Sequence, residues 1–335
     1  MKKGISVLVL CALILTTMFG VIPVSADEAE SEPLVVAVQS YYCSYPVGLI
    51  QAKEMAKDYG LNLEYEVFSS GATINEAMGE WDIAVTGGAF VYALANYNCK
   101  LIAHQIDGTA CNDIVCRPDS KYAEVKDDPE ALKEAVRGSN ILCNVGTTGH
   151  YGCCLWLASL GLTPEDVNFI SMEFATVYNS WLAGEGDLCV MIAPYCNYES
   201  DDVVLSSLGA CGGHLYESTV CTQDAYENRY DDVVKFVQLL YKACDELYAD
   251  PDLQLETAYN WYVDNGKEME KDAVLAEVEA KPVFNSEYAK QLDLTEFACS
   301  YAEYFASQEF IEEGQLETVK ANCANDVLTD AMKDF

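Results

Sequence analysis

The chain has 335 residues, 51% of them hydrophobic, and its 54 acidic against 19 basic residues give a formal net charge of -35. That composition supports a sizeable core, in one large domain or two smaller ones, and argues against disorder. So acidic a chain excludes a nucleic-acid role, because neutralising phosphates needs a basic surface, and it repels anionic membranes.

The start, MKKGISVLVLCALILTTMFGVIPVSADEAE, has the three parts of an export signal. Lys2 and Lys3 carry the charge, residues 5–18 are apolar, and Val24-Ser25-Ala26 supplies small residues before the polar Asp27-Glu28. Residues 1–26 are expected to be removed by cleavage near Ala26, leaving 27–33 as an acidic linker and the mature chain outside the cytoplasm. An uncleaved anchor is the competing reading, which the short apolar run disfavours. Leu10 before Cys11 disfavours lipid attachment at that cysteine. No later run approaches the roughly 20 apolar residues of a membrane span.

From there the pattern alternates strand and helix. LVVAV (34–38) reads as a strand, Pro46 opens a helix that Gly60 closes, and LEYEVF (63–68) alternates as a strand. A turn at Ser69 leads into the helical INEAMGE; DIAVTG (82–87) is a strand ending in glycine, AFVYALANY a helix and CKLIAHQI (99–106) a strand. A second unit repeats the scheme: helix 130–137, strand NILCNV (140–145), Gly146-Thr147-Thr148-Gly149, helix 150–160, strand VNFISM, helix 175–183, strand DLCVMIAPY and then VVLSSL (203–208). From Asp231 the chain is mostly helical, with Pro251 and Pro282 as breaks. Two alternating units imply two α/β lobes of parallel sheet flanked by helices; one doubly wound domain with a helical tail is the alternative.

Fifteen cysteines, fourteen without Cys11, contain no Cys-x-x-Cys, and neither Cys111/Cys116, Cys189/Cys196 nor the vicinal Cys153-Cys154 matches a zinc spacing. An exported chain with an even count invites disulfides. A core of this size does not need them, so most cysteines are expected as buried small apolar residues, with a few bridges. No metal and no cofactor is expected.

Ligands of open α/β sheets bind beyond the carboxyl ends of the strands. Four strand-to-helix junctions there are unusual: residues 39–45, 68–73, 86–90 and 146–150. Each offers free backbone amides at a helix start, which favour carboxylate, sulfonate or nitrate oxygens, and glycines that let the backbone come close. Thr148 and Ser70 can equally be plain N-caps. His150 is either a ligand group or a surface residue in the first helical turn. Cys153 and Cys154, one turn on, are expected to pack against the sheet; as nucleophiles they would need His150 as a base. Tyr41, Tyr45 and Tyr195, at strand ends, are the preferred aromatic lining. Glu173 is able to hold an amine, although a solvated acid before a helix is the blander reading.

The pieces LVVAVQ, YPVGLIQAKEMAKDYGLNLEYEVFSSGATINEAMGEWDIAVTGGAF, NVGTTGHY, LGLTPEDVNFISM and LAGEGDLCVMIAPY, in that order, resemble the periplasmic solute-binding proteins of ABC importers in the nitrate, sulfonate and taurine group, which also contains thiamine-pyrimidine binders. The resemblance covers about residues 34–210. It implies a two-lobed periplasmic-binding-protein-like α/β fold of type II, each lobe a mainly parallel sheet flanked by helices. Residues 34–116 and 214–335 would form the first lobe and 117–213 the second, with a cleft that closes on a solute. By position the cleft residues would be Gln39, Tyr41, Tyr45, Phe68, Gly71, Thr86, Gly87, Gly88, Thr147, Thr148, Gly149, His150 and Tyr195.

The resemblance further implies a monomer that is not an enzyme and that delivers a small-molecule solute to an ABC permease in the membrane. Basic residues are scarce near these loops, and Arg117 is expected at a lobe crossover, so a zwitterion or neutral polar solute fits better than an inorganic anion. The alternatives are a pyrimidine-transforming enzyme of a related fold using His150 and a nearby thiol, or a thiol-rich metal or redox protein.

Overall fold

The computed structural model describes residues 32–193, 195–196, 200–307 and 309–335. The expected export signal, its cleavage point at Ala26 and linker residues 27–31 lie outside the described residues. Two five-stranded sheets organise the rest. The strands are β1 (Leu34–Gln39), β2 (Leu63–Phe68), β3 (Ile83–Thr86), β4 (Lys100–Asp107), β5 (Asn112–Cys116), β6 (Asn140–Cys143), β7 (Asn168–Ser171), β8 (Leu188–Ile192), β9 (Val203–Ser207) and β10 (Tyr216–Cys221). The first sheet has the order β2-β1-β3-β10-β4 and the second β7-β6-β8-β5-β9.

Each sheet is mainly parallel with one reversed strand. β1 runs parallel to β2 and β3, whereas β10 is antiparallel to both β3 and β4, so β4 points with the first three. In the second sheet β6 is parallel to β7 and β8, and β5 is antiparallel to β8 and β9. Both reversed strands are those on which the chain enters the other sheet. β5 follows β4 out of the first, and β10 follows β9 back. The two crossover segments run side by side: the Gly108 amide donates to the Leu215 carbonyl at 2.9 Å, the Leu208 amide to the Asn112 carbonyl at 2.9 Å, and the Leu215 amide to Thr109 Oγ1 at 3.0 Å. The expected lobe boundary after Cys116 therefore falls one strand late, since the ladder partners of β5 are all in the second sheet.

The second sheet sorts its side chains by strand parity. Ile114, Cys116, Ile141, Cys143, Leu188 and Val190 enter one core, and Val115, Leu142, Cys189 and Met191 enter the other. That is the period of two of a strand buried on both faces. The helix Tyr230–Ala249 buries Val233, Phe236, Val237, Leu240, Tyr241, Cys244 and Leu247, the three-and-four spacing of one helical face, and packs on helix Tyr45–Ala52 and β4.

The helix expected to run unbroken to Gly60 stops at Ala52. Glu54 is left-handed (φ 51°), and a short turn Met55–Tyr59 follows that sinks Met55 and ends on left-handed Gly60. In the helical C-terminal third, residues 286–307 hold two helices, Ser286–Ala289 and Leu294–Ser307. Arg117, expected at the crossover, instead closes the C-terminal end of helix Phe174–Leu182. Its guanidinium lies 3.8 Å from the Trp181 ring centroid and donates to the carbonyls of Trp181, Glu185 and Gly186. Among the described residues no helix is long and apolar enough to cross a membrane.

Candidate functional site

A cleft of about 190 Å³ lies beyond the carboxyl ends of the strands, between the two sheets. The first sheet supplies Gln39, Tyr41, Tyr42 and Cys43 after β1, Ser70 to Ala72 after β2, and Gly87 to Ala89 after β3. The second supplies Asn144 to Gly149 after β6, Glu173 and Phe174 after β7, and Ile192 and Ala193 at β8. Asn112 and Glu217 come from the two reversed strands, and Leu215 and Lys281 complete the wall.

Local hydrogen bonds fix this frame. The Gln39 side-chain amide donates to Thr86 Oγ1 at 2.8 Å, tying the ends of β1 and β3 together. Ser44 Oγ accepts from the Gln39 amide at 3.0 Å and donates to the Val85 carbonyl at 3.3 Å, which holds the loop bearing Tyr41 to Cys43. Ser70 and Thr73 form a reciprocal capping box that starts helix Gly71–Glu76. Helix Thr148–Ser159 starts differently. Its N-cap is Thr147, whose hydroxyl donates to the Asn144 carbonyl at 2.6 Å and makes no cap bond to the helix. The first amides of that helix are left facing the cleft without a side-chain cap, the arrangement that attracts anionic or carbonyl oxygens.

Gly71 is required by close approach. A Cβ there would lie 2.6 Å from both Ala89 Cβ and Thr86 Oγ1, neither of which is the end of a flexible chain. We expect Gly71→Ala to destabilise the protein by about 1–3 kcal/mol and to disturb Gln39, read as a lowered urea midpoint.

The base of the cleft holds three buried charges. Lys281 Nζ lies 3.4 Å from Glu277 Oε1 and 4.6 Å from the Tyr42 ring centroid, while Glu277 Oε2 accepts from the Tyr262 hydroxyl at 2.8 Å. Burial opposes the charge on Lys281, but the carboxylates of Glu277 and Glu217 outweigh it and raise its pKa, so the ammonium is kept. Glu217, on β10, is 7% exposed. Burial pushes its carboxyl up to about 7; Lys281 opposes that rise, and Glu277 and Asp107 add to it.

Of the residues expected at the site, Gln39, Tyr41, Gly71, Gly87, Gly88, Thr147, Thr148 and Gly149 line the cleft. Five stand elsewhere. Tyr45 begins the helix after the first loop and turns into the core; it is fully buried, and its hydroxyl accepts from Gln254 at 2.8 Å. Phe68 packs against the first core. Thr86 is buried and acts on the cleft through Gln39. Tyr195 stacks on Tyr178 and hydrogen-bonds to Tyr41, whose ring meets Phe174 edge-on at 6.2 Å, so aromatic groups of both sheets touch beside the cleft.

His150 points behind the cleft. Its Nδ1 meets the Tyr304 hydroxyl at 2.9 Å and its Nε2 the Cys154 thiol at 3.6 Å. Burial lowers His150 to about 4 and raises Cys154 to about 11, so the pair is a neutral imidazole beside a protonated thiol. Cys153 is fully buried in the second sheet's core, and eleven of the fourteen described cysteines are buried. Among the described residues no group of three or more His, Cys, Asp or Glu side chains is arranged to hold a metal ion.

The lining residues that sequence reasoning missed are chiefly Asn112, Glu217 and Lys281. Asn112 and Glu217 sit on strands interrupted by polar residues, outside the strand-helix alternation, and Lys281 follows a helix in the C-terminal third. One signal was available: Lys281 stands four residues after Glu277 and beside Pro282, a charged pair at helical spacing next to a helix stop.

No family model matches the chain. It is 30% identical over 318 residues to a protein of Brachyspira hyodysenteriae described as an ABC transporter periplasmic binding protein, covering 92% of each chain. It is 23% identical over 249 residues to the taurine-binding periplasmic protein of Escherichia coli, covering 73% of this chain and 75% of that one. Among solved structures, the periplasmic aliphatic sulphonate binding protein SsuA of Escherichia coli superposes with a TM-score of 0.68 at 14% identity, over 86% of this chain and 91% of that one. The periplasmic nitrate-binding protein NrtA of Synechocystis gives 0.67 at 13% identity, over 90% and 89%.

Proposed function

The chain belongs to the periplasmic binding proteins of ABC transporters, and from that premise we propose that it is an exported, monomeric receptor that captures a small polar organic solute in the cleft and delivers it unchanged to a membrane permease. A sulfonate or a taurine-like zwitterion is the solute class. One observation carries the reading: loops from both sheets meet on a single cleft, with the uncapped start of helix Thr148–Ser159 on one side and Gly87 to Ala89 on the other. The paired crossovers at 108–111 and 208–215 are where one lobe, residues 34–107 with 216–335, would swing against the other, 112–207.

A thermal-shift screen of the mature chain across sulfonates, amino acids, amines and pyrimidines tests this. A true solute raises the melting temperature by mass action and is recovered intact; consumption of the solute would overturn the receptor reading. Thr148, whose hydroxyl lies 3.2 Å from that of Tyr301, is the residue to probe in the open helix start. Thr148→Ala should weaken solute binding five- to tenfold, about 1 kcal/mol, while the protein stays folded. Unaltered affinity in calorimetry would remove that loop from the site.

A further inference from the structure

Resting on the receptor reading, we propose that the cleft recognises its solute through a protonated amine and that Glu217 is the group that accepts it. The carboxylate occupies a niche built by missing side chains. A Cβ on Gly87 would lie 3.0 Å from one of its oxygens and a Cβ on Gly108 2.6 Å from the other. It is 7% exposed, and what remains open faces the cleft. Among the described residues no donor hydrogen-bonds to its oxygens and no cation lies within ion-pair distance. The nearby ammonium, on Lys281, faces Glu277, whose second oxygen is held by Tyr262.

The base of the cleft thus has two carboxylates and one cation, and the unmatched acid is the one on the wall. A buried carboxylate without a donor is costly unless a partner arrives. A charged amine supplies both the donor and the opposite charge. Within the solute class proposed above, a sulfonate without an amine supplies neither, so the zwitterion is the member of that class that Glu217 favours.

The two ends of a zwitterion have separate seats. Gly87 approaches Glu217, and the next residue, Gly88, approaches the Tyr301 hydroxyl, which meets Thr148 at the open helix start. An ammonium on the Glu217 side therefore leaves an anionic or carbonyl end directed toward the amides of helix Thr148–Ser159. The charged and titratable groups around Glu217 are Lys281, Glu277, Asp107, Tyr42, Cys43 and Tyr301. All but Lys281 are acids or neutral near pH 7, so none competes for the role of the cation. With its carboxyl at about 7, Glu217 is protonated in acid and loses its charge as an acceptor. Affinity for an amine should then fall about tenfold per pH unit well below 7, and affinity for a matched solute without the amine should not.

Isothermal calorimetry at pH 7.5 and 5.5 on matched pairs tests this: taurine against isethionate, β-alanine against 3-hydroxypropionate, and ethanolamine against ethylene glycol. We expect at least one amine to bind tenfold or more tighter than its hydroxyl partner at pH 7.5. Glu217→Gln should remove that preference while leaving the hydroxyl partner within about threefold, and Glu217→Asp should restore part of it; a melting curve checks that each variant is folded. Equal binding of the two members of every pair, preference for the hydroxyl member, an amine preference that survives Glu217→Gln, or no binding by any pair member would overturn the assignment. Conversion of a bound probe to a new compound, seen by NMR, would sink the receptor reading instead.

Discussion

Replacing Lys281 by methionine should destabilise the folded protein by about 3–5 kcal/mol near neutral pH, the range for stripping one partner from a buried ion pair. The side chain is 7% exposed and that of Glu277 only 2%, so the Glu277 carboxylate left behind does not recover water. The sign with pH follows from the acids. Burial raises both Glu217 and Glu277 above the ordinary value of 4.5 in the folded chain, and losing the ammonium raises them further. The native state then holds protons that the unfolded state releases, so the loss of stability grows as pH rises above about 4.5 and is small in acid. Urea unfolding at pH 4 and pH 8 measures it. The double variant Lys281→Met with Glu277→Leu should recover most of the loss at pH 8, because an apolar pair of similar volume replaces the ions. A single variant as stable as the parent at pH 8 would mean that the ammonium is hydrated and not part of a buried pair.

The second large effect concerns the ligand-free protein. Folded Glu217 titrates at about 7 against an ordinary 4.5, so its contribution to stability falls as pH rises through that interval and stays low above it. At about 1.4 kcal/mol per pH unit, the penalty above pH 7 reaches about 3.5 kcal/mol. Glu217→Gln keeps the shape and removes the ionisation. It should stabilise the empty protein by about 1–3 kcal/mol at pH 8 and not at all at pH 4, read from melting curves at the two pH values. The same substitution that weakens amine binding should therefore raise the melting temperature. A variant that melts lower at pH 8 would show the carboxylate to be satisfied within the empty protein.

How much of this was legible in the residues depended on where the local pattern and the tertiary role agree. β1, β3, β4, β6 and β8 were readable as short apolar runs because they are largely buried, whereas the edge strands β2, β7 and β9 were readable from their β-branched and aromatic residues between turns. β5 and β10 were not. Asn112-Asp113 and Glu217-Ser218-Thr219 interrupt any apolar run, and these strands exist because the neighbouring strands supply their ladders on both sides. Glycine and hydroxyl residues at strand ends marked the loops of the cleft, since close backbone approach leaves a local signature at Gly71, Gly87 and Gly149. The charged base left none: Glu217 and Lys281 are 64 residues apart in sequence, and only the return of the chain to the first sheet brings them together. Tyr45 and His150 stand in the first turns of helices whose early residues are nearly all buried, so apolar spacing does not say which of them turn to the cleft and which to the core.

The position of β10 also sets the order in which the molecule can be completed. It lies between β3 and β4, so those two strands have no ladder partner on their facing edges until residues 216–221 have been made and have come back from the second sheet. A nascent chain would carry two unsatisfied strand edges for more than a hundred residues of synthesis, while β5 to β9 can pair among themselves. The N-terminal half is therefore the later of the two to finish folding. A premature stop between the two crossovers would release open edges of the kind that pair with other chains.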